Sequence, residues 1–141
     1  MKSEDPRRIL LDTHVLIWLQ FGGKDRLANR LWQVVDRAAD AGTLLLSVFS
    51  VWEIGLLESK GRLKLFMPCE DWVRQALTMR GLSLAPITPE IALDSTRLPG
   101  SFHGDPADRI IAATARGMNA HLLTRDGKML DYARQGYLHV V

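Results

Sequence analysis

The stretch RILLDTHVLIWLQ, Arg8 to Gln20, joins a short unbroken apolar run to a helical pattern through one aspartate. RILLD (8–12) reads as a buried strand, and THVLIWLQ as a short helix ended by Gly22 and Gly23. A strand with no polar alternation is one buried on both faces, as in a parallel sheet covered by helices. The same unit recurs along the chain. TLLLS (43–47) runs into the helical VFSVWEIGLLESKG, and LSLAPI (82–87) precedes TPEIALDSTRL, where Thr88 caps and Pro89 takes the first helical position. AHLLT (120–124) precedes the helical DGKMLDYARQG, and YLHVV closes the chain as a fifth strand. Between these lie an amphipathic helix in DRLANRLWQVVDRAADAG, with Leu27, Leu31, Val34, Val35 and Ala38 on one side, an excursion RLKLFMP, and a helix from about Glu70 to Arg80. The expectation is an α/β protein: one domain over 1–141, a three-layer α/β/α sandwich with a parallel five-stranded central sheet.

Composition narrows the class without naming a function. The 141 residues are 47% hydrophobic and 24% charged, as in an ordinary globular domain. A net charge of +2 announces no polyanionic partner, so only local clustering can decide that question. One cysteine, Cys69, precludes an internal disulfide, and no Cys/His grouping has zinc spacing. The N-terminal apolar run is broken by Asp12 and has no small-residue cleavage site, so it does not read as a signal peptide. No apolar segment reaches the about 20 residues a membrane helix needs. A soluble, cytoplasmic protein is expected.

Four acids stand where apolar residues belong. Asp12 ends the first strand and is the only charge from Ile9 to Leu19; a helix cap is its ordinary explanation. Glu53 is the only charge in LLLSVFSVWEIGLL (44–57) and shares a helix face with Phe49, Leu56 and Leu57. A buried carboxylate needs a partner, which could be an arginine elsewhere or a ligand. In DPADRIIAATARG (105–117), Asp105 caps the helix and Pro106 follows at its first position. Asp108 lies three, four and seven residues before Ile111, Ala112 and Ala115, along a largely apolar stripe. The helix dipole would favour its charge by roughly 0.3–1 kcal/mol, too little to justify burial. Asp126 follows the fourth strand, where a turn or cap would also explain it.

The set is more informative than its members. In a parallel sheet Asp12, Glu53, Asp108 and Asp126 fall at or beyond one edge, where ligand crevices form. Converging carboxylates repel and raise one another's pKa unless cations intervene. All-oxygen ligands suit Mg²⁺ or Mn²⁺ before zinc, and a metal held this way supports phosphodiester hydrolysis. Ser50 falls three residues from Glu53 and could bond to it or to a metal-bound water, while Thr13 and Thr124, each beside an acid, read as local caps.

LLDTHVLIW, SVWEIGLL, DPADRIIAATA and LLTRD, in this order, resemble the PIN-domain nucleases. The likeness is to VapC-type toxins of type II toxin–antitoxin pairs, in the subgroup with an HxDPxDR motif, present as HGDPADR from His103 to Arg109. It spans Ile9 to Val141. The resemblance implies a Mg²⁺- or Mn²⁺-dependent endoribonuclease, RNA as substrate, a cognate antitoxin that blocks the site, and a homodimer. By motif, Asp12, Glu53, Asp108 and Asp126 match the catalytic, metal-binding quartet, and Asp105 the subgroup's extra acid, a further candidate ligand. Arg109 and Arg125 each adjoin a candidate ligand and could hold the RNA backbone, or form salt bridges instead. His103, in the loop before the helix, reads as structural or solvated. Trp18, Leu19 and Trp32 could face a partner or the core. Two alternatives share the fold: a PIN nuclease in RNA processing or DNA repair without a toxin role, and a non-catalytic protein- or RNA-binding module.

Overall fold

A computed structural model describes residues 7–141 except His103, with Lys24 described by its backbone alone. Four strands, β1 (Ile9–Leu11), β2 (Leu44–Ser47), β3 (Leu82–Ala85) and β4 (His121–Leu123), form a parallel sheet in the order β3-β2-β1-β4. The helices are α1 (Thr13–Gln20), α2 (Asn29–Ala41), α3 (Val48–Ser59), α4 (Cys69–Ala76), α5 (Pro89–Thr96), α6 (Pro106–Gly117) and α7 (Gly127–Arg134). Side chains along a strand point alternately to opposite faces. Accordingly Ile9, Leu11, Leu44, Leu46 and Leu123 pack with Val15 and Leu16 of α1, Leu31 and Val35 of α2, Ile54 of α3 and Trp72 of α4. Leu10, Leu45 and Leu122 pack on the other face, with Ile91 of α5, Ile111 and Ala112 of α6, and Met129 and Tyr132 of α7. The expected α/β/α sandwich is present. Trp18, Leu19 and Trp32 are partly buried against the first of these cores.

The expected fifth strand does not form. YLHVV meets β4 only through a parallel bridge between Val140 and Leu122, made by Leu122 N–H to His139 O (2.9 Å) and Val141 N–H to Leu122 O (3.1 Å). Only Val140 comes into register with a β4 residue, so the segment makes one bridge and no ladder. Three other boundaries move. The helix expected from Asp25 begins at Asn29, because Leu27 is extended after a single 3-10 turn over 24–26. β3 stops at Ala85, since Pro86 has no N–H to continue pairing. The helix expected to reach Arg80 ends at Ala76, followed by a turn to Gly81. Gly81 has φ +77°, and a Cβ there would lie 2.2 Å from the Ala39 carbonyl oxygen, so the chain can enter β3 past the end of α2 only as glycine.

The topology places the site. The chain builds outward through β1, β2 and β3, then crosses to the other side of β1 for β4. That reversal makes the β1/β4 junction a switch point, with a crevice beyond the strand carboxyl ends. Leu11 pairs with both Leu46 and Leu123, so Asp12, Ser47 and Thr124 follow at one level. Among the described residues, no helix is long and apolar enough to cross a membrane.

Leu122→Ala, at a fully buried position, is expected to lower unfolding free energy by about 2–5 kcal/mol in urea denaturation. Phe66→Ala, at a side chain 96% exposed, should change it by about 0.5 kcal/mol or less.

Candidate active site

Asp12 is the N-cap of α1 and only 4% exposed. Its Oδ1 accepts the Thr13 N–H at 2.8 Å, and its Oδ2 accepts the Thr124 hydroxyl at 2.7 Å. Hydrogen bonds to an ionised group are worth about 1.5–3 kcal/mol each, and the amino end of α1 adds a favourable dipole. Together these offset part of the cost of burying the carboxyl group. The carboxylate is therefore held at a fixed position without a salt bridge to lysine or arginine among the described residues.

Glu53 projects from the middle of α3 toward the same point. Its Oε1 accepts the Thr13 hydroxyl at 2.6 Å, and Thr13 Oγ1 lies 2.7 Å from the buried Ser50 Oγ. One hydroxyl carries one proton, and the carboxylate is the stronger acceptor, so Ser50 in turn donates to Thr13. No arginine pairs with Glu53 among the described residues. Burial raises the Glu53 pKa, against the bond from Thr13, and the charges of Asp12 and Asp105 raise it further.

Asp105 caps α6, its Oδ1 accepting the Asp108 N–H at 2.9 Å, while its side chain stays at the exposed rim. Asp108 is half-buried one turn inside. Burial, then the charges of Asp105, Asp126, Asp12 and Glu53, push its carboxyl up to about 7. The amino end of α6 would lower it, so desolvation and like charge outweigh the dipole. Gly104 lets the preceding loop lie close: a Cβ there would meet the Phe102 ring at 2.6 Å and Asp108 Cβ at 2.8 Å. Asp126 caps α7 through the Met129 N–H (3.1 Å), and its own N–H reaches Thr124 Oγ1 at 3.0 Å.

The four acids thus come from the end of β1, the middle of α3, the first turn of α6 and the cap of α7. Asp12, Glu53, Asp108 and Asp126, with Thr13, His14, Ile17 and Leu57, line one cleft of about 140 Å³. Among the described residues no three Asp, Glu, His or Cys side chains are drawn tightly enough to form a metal site as they stand. The donor chemistry nevertheless fits a hard divalent cation. Every candidate ligand is a carboxylate, each oxygen retains a second lone pair beyond the bonds described, and no cysteine lines the cleft among the described residues.

The Thr13 hydroxyl is not a local cap but holds Glu53, whereas that of Thr124 does both, accepting the Asp126 N–H two residues on and donating to Asp12. The two arginines part company. Arg109 donates from Nε to Ser95 O (2.8 Å) and from a terminal nitrogen to Phe102 O (3.0 Å), over the Phe102 ring, so it ties α5, the loop and α6 together. Arg125 is exposed at the rim with no side-chain partner among the described residues. His103, the first residue of HGDPADR, lies outside the described residues. His14 lines the cleft and was not singled out from the sequence, where a histidine on a short apolar helix carries no distinguishing pattern. Trp52 of α3 is exposed beside Phe49, a second feature the helical pattern conceals.

Residues 9–135 match the PIN domain family. Over 124 residues, 88% of this chain and 91% of the relative, the sequence is 33% identical to Ribonuclease VapC22 of Mycobacterium tuberculosis (strain ATCC 25618 / H37Rv). Among solved structures, VapBC2 from Rickettsia felis, bound to a DNA fragment from its promoter, superposes with a TM-score of 0.69. It is 16% identical, over 94% of this chain and 96% of that one. A toxin–antitoxin complex from Klebsiella pneumoniae gives a TM-score of 0.57 at 21% identity, over 92% and 94%. At these identities the structures establish likeness of fold.

The raised carboxyls make a signed prediction. An acid whose pKa is higher folded than unfolded leaves the native state holding more protons, so its contribution to stability falls as pH rises between the two values. For Asp108 that window runs from its ordinary 3.8 to about 7. In urea titrations without divalent metal, Asp108→Asn should gain on the wild type as pH is raised from about 5 to about 7.5.

Proposed function

The chain belongs to the PIN-domain family, and from that membership we propose that it is a Mg²⁺- or Mn²⁺-dependent endoribonuclease, the toxin of a toxin–antitoxin pair. The observation that carries this reading is the convergence of Asp12, Glu53, Asp108 and Asp126 on one cleft with no lysine or arginine among the described residues to pair them. A surface used only for binding gains nothing from four carboxylates whose burial and mutual repulsion lift Asp108 to about 7. The ribonuclease name of the Mycobacterium relative and the paired assembly from Klebsiella support the substrate and partner classes.

In this reading Asp12, Glu53, Asp108 and Asp126 are the catalytic, metal-holding groups, and Asp105 keeps its place as the cap of α6 at the rim. A divalent ion in the cleft supplies a lowered pKa for an attacking water and charge neutralisation at the leaving oxygen. The protein's own contribution is placement. Thr124 and the Thr13 N–H hold Asp12, and Thr13 with Ser50 holds Glu53, so the ligands are oriented before the ion arrives. Arg125, exposed at the rim, contacts the RNA backbone, whereas Arg109 acts by bracing α6. The antitoxin occupies the cleft mouth, and two toxin chains pair as a homodimer.

Labelled RNA incubated with purified protein should be cut in Mg²⁺ or Mn²⁺ and left intact in EDTA. Asp12→Asn and Asp108→Asn, each nearly isosteric, should fold and lose roughly 100-fold or more in rate. Folded wild-type protein that neither binds Mn²⁺ nor cuts RNA would overturn the reading. A calorimetric readout tests the electrostatics separately. Mn²⁺ binding near the Asp108 pKa of about 7 should release protons, seen as a heat that depends on the buffer's ionisation enthalpy, and Asp108→Asn should abolish most of that dependence.

A further inference from the structure

We infer that His14 is a positioning residue for the metal-holding carboxylates rather than one of the ligands, an inference that rests on the nuclease reading above. Among the described residues its imidazole is the one nitrogen heterocycle lining the carboxylate cleft, with its side chain 31% exposed. A histidine in such a place would ordinarily be taken for a ligand or a proton carrier. Its hydrogen bond argues otherwise. His14 Nε2 accepts the backbone N–H of Arg125 at 3.1 Å, which uses the lone pair a metal would need. In the neutral ring the proton is then on Nδ1, which lies 3.7 Å from Asp12 Oδ2, beyond hydrogen-bond distance and on the side of that carboxylate.

The segment it grips carries two of the site's anchors. Thr124 donates its hydroxyl to Asp12 and accepts the N–H of Asp126, and Asp126 caps α7 while lining the cleft. Residues 124–126 are tied to β1 by the bond from Asp12 N–H to Leu123 O and by the Thr124 hydroxyl. Neither bond restrains the peptide between Thr124 and Arg125 on its outer side. The bond from α1 through His14 does so, and it spans 111 positions of sequence. The ring itself is held in place: Trp18, one helical turn along α1, meets it edge-on with centroids 4.8 Å apart, and the Arg26 guanidinium covers Trp18 at 5.5 Å. The unit acts as a clamp, in which a rigid ring on α1 fixes the distance between the Asp12 and Asp126 carboxylates.

Because Arg125 is exposed, its N–H can turn to water when the clamp is lost, so fold stability depends little on the bond. Carboxylate placement does depend on it. Loss of an orienting partner of this kind typically lowers metal affinity or activity by about 10–100-fold.

The test compares His14→Leu, which removes the acceptor, with His14→Gln, whose amide oxygen extends to a similar reach and can accept the same N–H. Mn²⁺ affinity is measured by calorimetry, RNA cleavage as separate kcat and KM, and folding by thermal melt. His14→Leu should melt near the wild type, bind Mn²⁺ about tenfold or more weakly, and lose kcat at saturating metal with KM for RNA little changed. His14→Gln should recover most of both losses. Wild-type Mn²⁺ affinity and kcat in His14→Leu would overturn the inference and leave the nuclease reading intact. A His14→Gln variant as impaired as His14→Leu would also overturn it, because a ligand or a proton carrier cannot be replaced by an amide. Wild-type protein without Mn²⁺ binding or cleavage would instead remove the nuclease reading, and this inference with it.

Discussion

The in-register parallel pairing of β1 with β2 and β4 is the constraint on which the site depends. Leu11 stands level with Leu46 and Leu123, so the residues that follow these strands emerge together at one edge. Asp12, Ser47 and Thr124 inherit that alignment. From it come the Thr124 hydroxyl on Asp12 and the entry angle of α3, capped by Ser47 through the Phe49 N–H. A slip of one residue in β4 would turn Leu122 and Leu123 to the wrong faces of the sheet and separate Thr124 from Asp12 at the same time. Core packing and site assembly are therefore enforced by the same ladder.

The site runs against the stability of the fold that holds it. Asp12, Asp108 and Asp126 each sit in the first turn or cap of a helix, where the dipole favours a negative charge by roughly 0.3–1 kcal/mol. That is a weak counterweight to four carboxylates sharing one cleft. The outcome differs residue by residue according to the donors at hand. Burial raises Glu53 against its bond from Thr13, and Asp108 rises to about 7, driven first by burial and then by its acidic neighbours. A proton on Asp108 relieves part of that repulsion in the free protein.

Neighbouring positions in sequence take different tasks here because a helix or turn sends them in different directions. Asp108 faces the cleft while Arg109 reaches back to two backbone carbonyls. Asp12 and His14 line the same cleft, but Asp12 is buried and bonded to Thr124, whereas His14, two residues on, is partly exposed and holds the backbone of Arg125. Little separates the acids from the apolar interior, since Ile17 and Leu57 line the same cleft. Burial leads the causes of the shifts at Glu53 and Asp108.

What the amino-acid sequence by itself determined is what local chemistry can encode. The caps Thr88 and Asp105, each followed by proline, bond only three residues ahead, so their pattern is written in adjacent letters. The unbroken apolar strands made a covered parallel sheet legible, and charges stranded in apolar runs marked Asp12, Glu53 and Asp108 as requiring an explanation. The tertiary structure alone decided how those charges are held. Thr13 reaches Glu53 across 40 positions, Thr124 reaches Asp12 across 112, and His14 reaches Arg125 across 111. No periodicity records such pairs, because the bond length is set by the register of β1 on β4 and by the packing of α3, not by spacing along the chain. The fifth strand failed for the same reason. YLHVV has a strand's composition, but a strand exists only where the chain comes into register with a partner, and Val140 alone does so against β4.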